Sequence, residues 1–202
     1  MLYQNEIQLL AKYQHIAGTD EAGRGPLAGP VVAAAVILDH SEQIIGLDDS
    51  KKLSEKKREQ IYLEIIKNAV SWKVSIVSSQ IIDEINILQA SLKAMQNAVL
   101  VLDVKPDICL VDGNNLPEEI SHFSRAIVKG DATYASIAAA SIIAKVTRDR
   151  IMLKLHNKFP EYNFAKNKGY PTKEHLRAIR QFGILSCHRR SYKPIQQLEL
   201  VF

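Results

Sequence analysis

The pattern of apolar and polar residues along the chain predicts an α/β fold. Five short runs have the apolar or alternating character of strands, namely 16–20, 31–38, 72–78, 107–112 and 125–128. The second run is β-branched and alanine-rich, which predicts a strand buried on both faces, whereas the third alternates and predicts a half-buried strand toward a sheet edge. The order of these runs predicts one mixed five-stranded sheet flanked by helices.

Between the strands, apolar residues recur three and four positions apart, which predicts amphipathic helices. The predicted helices span 54–69, 79–103, 134–159 and 173–182, and a short leading helical turn lies within 5–13. Ser54, Thr133 and Thr172 stand where N-caps are expected, and Gly183 ends the last helix. After Pro160 the chain becomes basic and loop-rich, so we predict a single domain over 1–202 with a small helical C-terminal extension over about 160–202.

Composition excludes several classes of protein. The chain has 202 residues, of which 47% are hydrophobic, and this suits a compact domain with a well-filled core. No run reaches the roughly 18 apolar residues of a membrane span, and the N-terminus lacks a basic region followed by an apolar one, so we expect a cytoplasmic protein. Cys109 and Cys187 give neither a disulfide framework nor zinc-ligand spacing and are expected to be reduced. We expect a monomer.

Charge is distributed unevenly along the chain. Residues 141–202 hold 13 Lys and Arg against 4 Asp and Glu, whereas residues 1–140 hold 13 against 18. An acidic body with a basic C-terminal third suits a nuclease, which needs acids for metal ions and bases for phosphates. Solvated lysine faces on helices would produce the same bias, so charge alone does not decide.

The candidate chemistry begins at Asp20 and Glu21, which run into a segment rich in glycine, arginine and proline. Neighbouring side chains on a strand point to opposite faces, so both acids face one site only if the strand ends there. Gly23, Gly25 and Pro26 favour that end, since glycine permits unusual dihedrals and proline cannot continue a ladder. The glycine spacing does not fit a dinucleotide-binding fingerprint, which leaves an acidic turn as the structural alternative.

Two further acids follow predicted strands. Asp112 closes the run 107–112, and Asp131 comes after 125–128, just before the long helix. Open α/β sheets place their sites at such strand ends, although an Asp-Gly turn and a helix dipole explain the two acids structurally. If these acids converge with Asp20 and Glu21, the four repel one another unless cations share the site, and oxygen ligands select Mg²⁺ or Mn²⁺. A pair of such ions is suited to phosphodiester hydrolysis.

The chain resembles the type 2 ribonucleases H, the ribonuclease HII family, over nearly its whole length. The segments that carry the resemblance are Thr19-Asp20-Glu21-Ala-Gly23-Arg24-Gly25-Pro26, Asp49-Ser-Lys51-Lys52-Leu-Ser, Val111-Asp112-Gly-Asn114, Val128-Lys-Gly-Asp131, Ala139-Ala-Ser-Ile-Ile-Ala-Lys145-Val-Thr-Arg148-Asp149, Gly169-Tyr170-Pro-Thr172 and His188-Arg189-Arg190-Ser191. Matches of this length and order are very unusual by chance, and no departure removes a functional group.

The resemblance implies a ribonuclease H-like fold and a metal-dependent endoribonuclease. It implies cleavage of RNA in RNA/DNA hybrids and of ribonucleotides embedded in DNA, on their 5′ side, with 3′-hydroxyl and 5′-phosphate products. Asp20, Glu21, Asp112 and Asp131 would hold two ions of Mg²⁺ or Mn²⁺. Gly23, Arg24 and Gly25 would read the 2′-hydroxyl, largely through backbone groups, and Tyr170 would pack against the sugar at the RNA–DNA junction. The loop lysines Lys51 and Lys52 would contact substrate, although a solvated turn is the usual state of such a pair.

Two other functions remain open for this fold, a non-catalytic nucleic-acid-binding protein and a nuclease of plain DNA. All four acids are present, which argues against the first, and the Gly-Arg-Gly segment with Tyr170 argues against the second. Asp149, flanked by Arg148 and Arg150, is assigned to a helix-surface ion pair rather than to metal binding. The tail 196–202, built of glutamines and apolar residues, is loosely similar to a clamp-binding motif, so a weak contact with a replication clamp is a further expectation.

Overall fold

The computed structural model describes residues 2–199 and contains a five-stranded sheet with helices on both faces. The strands are β1 (Ile16–Ala22), β2 (Val31–Ile37), β3 (Ser71–Val77), β4 (Ile108–Asp112) and β5 (Ser124–Ile127). The α-helices within the described residues are α1 (Leu2–Leu10), α2 (Glu55–Asn68), α3 (Ser79–Leu100), α4 (Ala135–Lys158), α5 (Phe164–Asn167), α6 (Lys173–Phe182) and α7 (Lys193–Glu199). Short 3₁₀ turns lie at Ser121–Phe123, Gly130–Ala132 and Pro160–Tyr162.

The strand order is β3-β2-β1-β4-β5, with β1–β2 and β2–β3 antiparallel and β1–β4 and β4–β5 parallel. The prediction of a mixed sheet is therefore confirmed, as is the position of β3 at an edge. In the central parallel pair, Thr19 lies opposite Val111 at the end of the ladder. Asp20 and Asp112 are the next residues on these two strands, so their register alone brings two acids together at the carboxyl end of the sheet.

Two hydrophobic layers cover the sheet. The α3 helix packs on one face around Ala94, and α2 and α4 pack on the other around Ile61 and Ala139. Every residue of β2 is buried, as its apolar run predicted. At Gly18 a Cβ would lie only 2.2 Å from the Ser136 carbonyl carbon, so only glycine lets α4 lie directly against β1.

A third apolar cluster attaches the C-terminal segment to the loop that follows β1, which we call the glycine loop (residues 23–30). Leu27 and Ala28 of this loop are buried against Tyr162, Phe164 and other residues of the C-terminal third. Backbone hydrogen bonds add to the packing, from Leu27 N to Gly169 O, from Gly29 N to Cys187 O and from Arg189 N to Leu27 O, each 2.8 Å long. The basic C-terminal segment therefore packs against the glycine loop and hydrogen-bonds to its backbone.

Several helix ends differ from the predictions. The leading helix covers Leu2–Leu10 rather than a turn within 5–13, and α3 ends at Leu100 and contains a kink at Asn86, where φ is 63°. The α6 helix has its predicted bounds, with Thr172 as N-cap and Gly183 as C-cap, and Ser54 caps α2 as predicted. No described helix of residues 2–199 is long and apolar enough to cross a membrane.

The predicted cap at Thr133 is wrong, because α4 begins at Ala135 and its N-cap, Tyr134, makes no side-chain cap bond. A distant residue takes over this role. The Oε1 atom of buried Glu6, on α1, accepts hydrogen bonds from the backbone N and the Oγ of Ser136 at 2.6 and 2.7 Å. A carboxylate at a helix N-terminus satisfies free N–H groups and complements the helix dipole.

Candidate active site

A cavity of about 320 Å³ opens at the carboxyl ends of β1 and β4. The residues that line it combine acids, cations, hydroxyl groups and one aromatic ring: Asp20, Glu21, Ala22, Gly23, Arg24, Gly25, Ser50, Lys51, Asp112, Ser141, Lys145, Arg148 and Tyr170. Eight of the ten predicted site residues are in this lining, and the other two, Asp131 and Lys52, are not.

Asp20 and Glu21 both line the cavity, but the reason differs from the prediction. The first strand does not end at Asp20, because β1 continues to Ala22 in its ladder with β2. The ladder with β4 stops earlier, at Thr19. Beyond Thr19 the β4 side of β1 is open, and this gap gives two consecutive acids access to one cavity.

The Asp20 carboxylate is buried and held by hydroxyl groups. The Ser141 hydroxyl on α4 lowers the pKa of Asp20, and the Ser141 Oγ lies 2.9 Å from the Oγ of Ser50, at hydrogen-bond distance. Burial, with the nearby charges of Glu21 and Asp112, raises the pKa of Asp20 well above its usual value. Repulsion of this kind is what a bound cation relieves.

The other acids of the site have different partners. Burial raises the pKa of Glu21, against the lowering effect of Arg24, whose Nη1 lies 3.3 Å from the Glu21 Oε1. Burial also raises the pKa of Asp112, although the Gly130 N–H donates to its Oδ1 at 2.7 Å and lowers the pKa. For all three carboxylates, burial and the neighbouring acids outweigh the hydrogen bonds and positive charges that lower the pKa.

Asp131 lies beside the cavity rather than in its wall. Its Oδ2 is 3.2 Å from the Lys51 Nζ, and its backbone N–H donates to Asp112. The chain reaches this position through Lys129, whose φ of 56° makes a left-handed turn after β5. The Lys51 ammonium thus supplies positive charge between Asp131 and the acids of the cavity.

The acids fit hard divalent cations by chemical type, since carboxylate oxygens are the ligands that Mg²⁺ and Mn²⁺ prefer. As the side chains stand in residues 2–199, no three Asp, Glu, His or Cys side chains form a ready-made ion site. The raised pKa values of Asp20, Glu21 and Asp112 mark a cluster that a cation would stabilise. We therefore judge the donor set suitable for divalent ions.

The two predicted substrate lysines have different surroundings. Lys51 lines the cavity, whereas the Lys52 Nζ lies 3.3 Å from Asp48 and outside the cavity.

The prediction that Asp149 forms an ion pair is confirmed. Its Oδ1 pairs with the Lys145 Nζ at 2.7 Å, one turn earlier on α4.

A second part of the cavity wall consists of residues 23–25 and Tyr170. The Tyr170 side chain is 45% exposed, and a Cβ on Gly25 would lie 3.3 Å from its ring. Gly23 has a φ of +102°, and a Cβ there would lie 2.1 Å from the Nε of Arg148. Gly23 is thus required for close packing against an arginine as well as for its backbone conformation.

Two buried arginines support this wall, and sequence reasoning missed both. Arg148, on α4, is 1% exposed and donates to the carbonyls of Ala28, Pro30 and Lys168. Arg189 is fully buried and donates to the carbonyls of three residues of the glycine loop: Gly23, Arg24 and Gly29. Both arginines lie in segments that carry the family resemblance, but that resemblance assigned neither of them a role.

These arginines determine which backbone groups of the glycine loop remain available. The carbonyls of Gly23 and Arg24 accept from buried guanidinium groups, whereas the N–H groups of Arg24 and Gly25 donate to no acceptor within residues 2–199. Burial and the neighbouring charge of Arg189 lower the pKa of Arg148 to about 10, so Arg148 remains cationic at neutral pH. The glycine loop therefore has unpaired backbone N–H groups, while its carbonyls are bound by buried guanidinium groups.

Comparisons with known proteins agree on one family. The family model for ribonuclease HII matches residues 17–195. A ribonuclease HII of Marinomonas sp. is 55% identical over 183 residues, which make up 91% of this chain and 92% of the relative. The ribonuclease H2 structure from Pyrococcus horikoshii superimposes with a TM-score of 0.78 at 31% identity, covering 93% of this chain and 98% of that one. A chain of the PCNA:RNase HII complex from Archaeoglobus fulgidus gives 0.75 at 33% identity, covering 89% and 95%. The expected ribonuclease H-like fold is thereby confirmed.

Proposed function

The chain belongs to the ribonuclease HII family of metal-dependent endoribonucleases, and we propose that it cleaves RNA/DNA hybrids and DNA containing single ribonucleotides. It would hydrolyse the RNA strand of a hybrid and nick duplex DNA on the 5′ side of an embedded ribonucleotide, leaving 3′-hydroxyl and 5′-phosphate ends. The observation that carries this proposal is the cavity itself, whose lining combines buried acids with a loop that has unpaired backbone N–H groups and with one exposed tyrosine ring. The acids suit hydrolysis, and the wall suits recognition of a ribose.

Four acids would hold the divalent cations, Mg²⁺ or Mn²⁺, namely Asp20, Glu21, Asp112 and Asp131. When bound, two such ions supply an activated water and neutralise the charge on the leaving oxygen. Ser141 and Ser50 hold the Asp20 carboxylate in one orientation, and Gly130 does the same for Asp112. Lys51 lies within reach of both the acids and a phosphate in the cavity. Lys52 is proposed to contact the substrate backbone outside the cavity.

The glycine loop would distinguish RNA from DNA. A 2′-hydroxyl accepts and donates hydrogen bonds, and the N–H groups of Arg24 and Gly25 are unpaired within the described residues at the wall of the cavity. Gly25 leaves this wall without a side chain, so a sugar can approach the backbone. The Tyr170 ring, beside Gly25, would pack on the sugar at the RNA–DNA junction. These groups favour ribonucleotide recognition over cleavage of plain DNA.

A clamp contact forms the second part of the proposal. The archaeal relative above was solved as a complex with PCNA. By analogy, we propose that the tail 196–202 contacts a sliding clamp, although Leu200, Val201 and Phe202 lie outside the described residues. A cytoplasmic monomer is proposed in keeping with the two free cysteines, Cys109 and Cys187.

The acid assignment is tested by Asp20→Asn and Asp112→Asn, which keep side-chain size and remove the charge. On a labelled RNA/DNA hybrid with Mg²⁺ or Mn²⁺, both variants should lose turnover and keep most of their affinity for the hybrid. Asp103→Asn is the matched control, since Asp103 pairs with Lys73 at 2.8 Å outside the cavity and its loss should leave activity unchanged. Full activity of either test variant would refute the acid assignment.

A further inference from the structure

Two buried histidines lie outside the cavity and have no part in the proposed chemistry. His175, on α6, and His188, in the segment before α7, are 0% and 2% exposed. Their Nε2 atoms are 3.1 Å apart, which is a hydrogen-bond distance. Two imidazoles in such contact need a defined arrangement of protons, because one must donate and the other accept.

The outer nitrogens of the pair determine that arrangement. The Leu185 N–H donates to the Nδ1 of His188 at 2.9 Å, so this Nδ1 carries no proton, and the proton of the neutral ring is on Nε2. The Nδ1 of His175 lies 2.9 Å from the Tyr170 carbonyl oxygen, which can only accept, so this Nδ1 is protonated and the His175 Nε2 is bare. The Nε2–H of His188 therefore donates to the Nε2 of His175, and the three bonds form one directed chain.

The surroundings of the pair are aromatic. The rings of Tyr162 and Phe164 lie 5.5 Å from His188 and 5.3 Å from His175, respectively, between centroids. The Tyr162 hydroxyl donates to the Gly183 carbonyl and so is not a donor to either imidazole. Burial lowers the pKa of both histidines, which keeps the rings neutral and the directed chain intact at neutral pH.

On the His175 side, the directed chain of hydrogen bonds ends at the backbone carbonyl of Tyr170. The Tyr170 carbonyl accepts from His175 and from the Thr172 N–H at 2.8 Å, and its N–H donates to the Asn167 carbonyl at 2.9 Å. The Tyr170 ring is 45% exposed, so little packing holds it in place. Its position beside Gly25 must therefore come from a fixed backbone.

On the other side, His188 belongs to the segment that supports the glycine loop. His188 pairs with Ala28 in an isolated β-bridge, and its neighbours Cys187 and Arg189 make backbone bonds to Gly29 and Leu27. The bond between the two histidines thus joins the support of Tyr170 to the support of the glycine loop. These are the two parts of the proposed ribose-recognition wall.

We propose that His175 and His188 are a positioning pair whose directed hydrogen bond fixes Tyr170 relative to Gly25 and so sets selectivity for an RNA–DNA junction. This proposal rests on the function proposed above for Tyr170. Neither histidine touches the substrate, and both act through the backbone that they hold.

The arrangement of protons is tested without any substrate. In a ¹⁵N-histidine-labelled sample at neutral pH, long-range ¹H–¹⁵N spectra should show His175 as the Nδ1–H tautomer and His188 as the Nε2–H tautomer. His188→Gln keeps an amide donor toward His175 and should preserve the His175 tautomer. The opposite tautomer at either residue, or a positively charged ring, would overturn the proposal.

Selectivity is tested with His188→Phe, which keeps ring volume but removes the bond to His175. The readout is the ratio of kcat/KM on a duplex with one ribonucleotide to kcat/KM on a long RNA/DNA hybrid. His188→Phe should lower this ratio by about 2- to 10-fold, the value of one hydrogen bond, and His188→Gln should restore most of it. His122→Phe, at a 3₁₀ turn away from the site, is the matched control and should not change the ratio.

A double-mutant cycle with Tyr170→Ala separates the outcomes. If the histidines act through Tyr170, His188→Phe should have no further effect on the ratio once Tyr170 is alanine. If Tyr170→Ala lowers the ratio and folded His188→Phe and His188→Gln do not, the positioning proposal fails alone. If Tyr170→Ala leaves the ratio unchanged, the proposed junction contact fails and the positioning role fails with it. Should His188→Phe not fold, His188→Met, which also lacks a donor toward His175, takes its place in the ratio measurement and in the cycle.

Discussion

Replacement of Arg189 tests whether buried guanidinium groups hold the glycine loop. The Arg189 side chain donates to the carbonyls of Gly23 at 2.6 Å, Arg24 at 2.8 Å and Gly29 at 3.0 and 2.9 Å. In Arg189→Met, the Arg24 carbonyl keeps a donor, since the Tyr192 hydroxyl donates to it at 2.6 Å. The carbonyls of Gly23 and Gly29 lose their side-chain donors.

The expected loss in the free energy of unfolding follows from these two unpaired carbonyls. Each buried acceptor left without a donor costs about 1–3 kcal/mol, which gives about 2–6 kcal/mol for two. Removal of a buried charge offsets part of that loss, so we expect Arg189→Met to lower the free energy of unfolding by about 3 kcal/mol. For a chain of this size, the melting temperature should fall by roughly 6–12 °C. Arg189→Lys should lower the free energy of unfolding by nearly as much. Its charge remains, but one ammonium group cannot donate to all the carbonyls that the planar guanidinium group binds.

The assay combines thermal and chemical denaturation with cleavage of a ribonucleotide-containing duplex. Arg180→Met, at an exposed position on α6, is the control and should change stability by less than about 0.5 kcal/mol. Cleavage by Arg189→Met should fall even at temperatures where the variant is folded, because the loop that contacts the ribose is no longer fixed. A folded Arg189→Met with wild-type stability and activity would refute the supporting role of Arg189.

Further predictions concern Tyr170, the glycines and pH. Tyr170→Ala should lower kcat/KM on a single embedded ribonucleotide on the order of tenfold more than on a long hybrid, and equal losses would contradict its junction role. Gly23→Ala should destabilise by about 1–3 kcal/mol, because its Cβ would lie 2.1 Å from the Arg148 Nε at a φ of +102°, whereas Gly25→Ala should chiefly impair cleavage. Melting and activity curves of the two variants distinguish these effects, and equal destabilisation would contradict the packing argument. Burial, together with the adjacent His175 ring, lowers the pKa of His188 to about 4 from 6.5, so its neutral form stabilises the fold above pH 6.5. The free energy of unfolding should therefore fall by up to about 3 kcal/mol between pH 6.5 and pH 4, with a flatter denaturation profile in His188→Phe. A wild-type profile as flat as that of the variant would argue against this cause.

The elements that sequence predicted well depend on local patterns. The uninterrupted apolar run of β2 and the caps Thr172 and Gly183 of α6 are properties of neighbouring residues, and their predicted positions agree with the structure. Asp112 was also accessible to sequence reasoning, because it closes an apolar strand, whereas Asp20 was placed in the site although its strand continues to Ala22.

The groups that sequence reasoning missed depend on contacts between distant residues. Arg148 donates to Pro30 across 118 positions, and Arg189 to Gly29 across 160. Glu6 accepts from Ser136, 130 positions away, and replaces the local cap expected at Thr133. An arginine that binds buried carbonyls has the same sequence signature as one on a solvated helix face, so the residue type alone did not reveal that Arg148 is buried.

The most direct test of ribose-specific, metal-dependent cleavage uses a labelled DNA duplex that carries one ribonucleotide. The wild-type protein and Asp20→Asn are incubated with Mg²⁺ or Mn²⁺, beside an all-DNA duplex and an EDTA control. We expect one nick on the 5′ side of the ribonucleotide, with a 3′-hydroxyl end, only with wild-type protein and a divalent cation. Equal cleavage of the all-DNA duplex would contradict recognition of the 2′-hydroxyl by the glycine loop, and a nick in EDTA or by Asp20→Asn would contradict the metal chemistry of the acids.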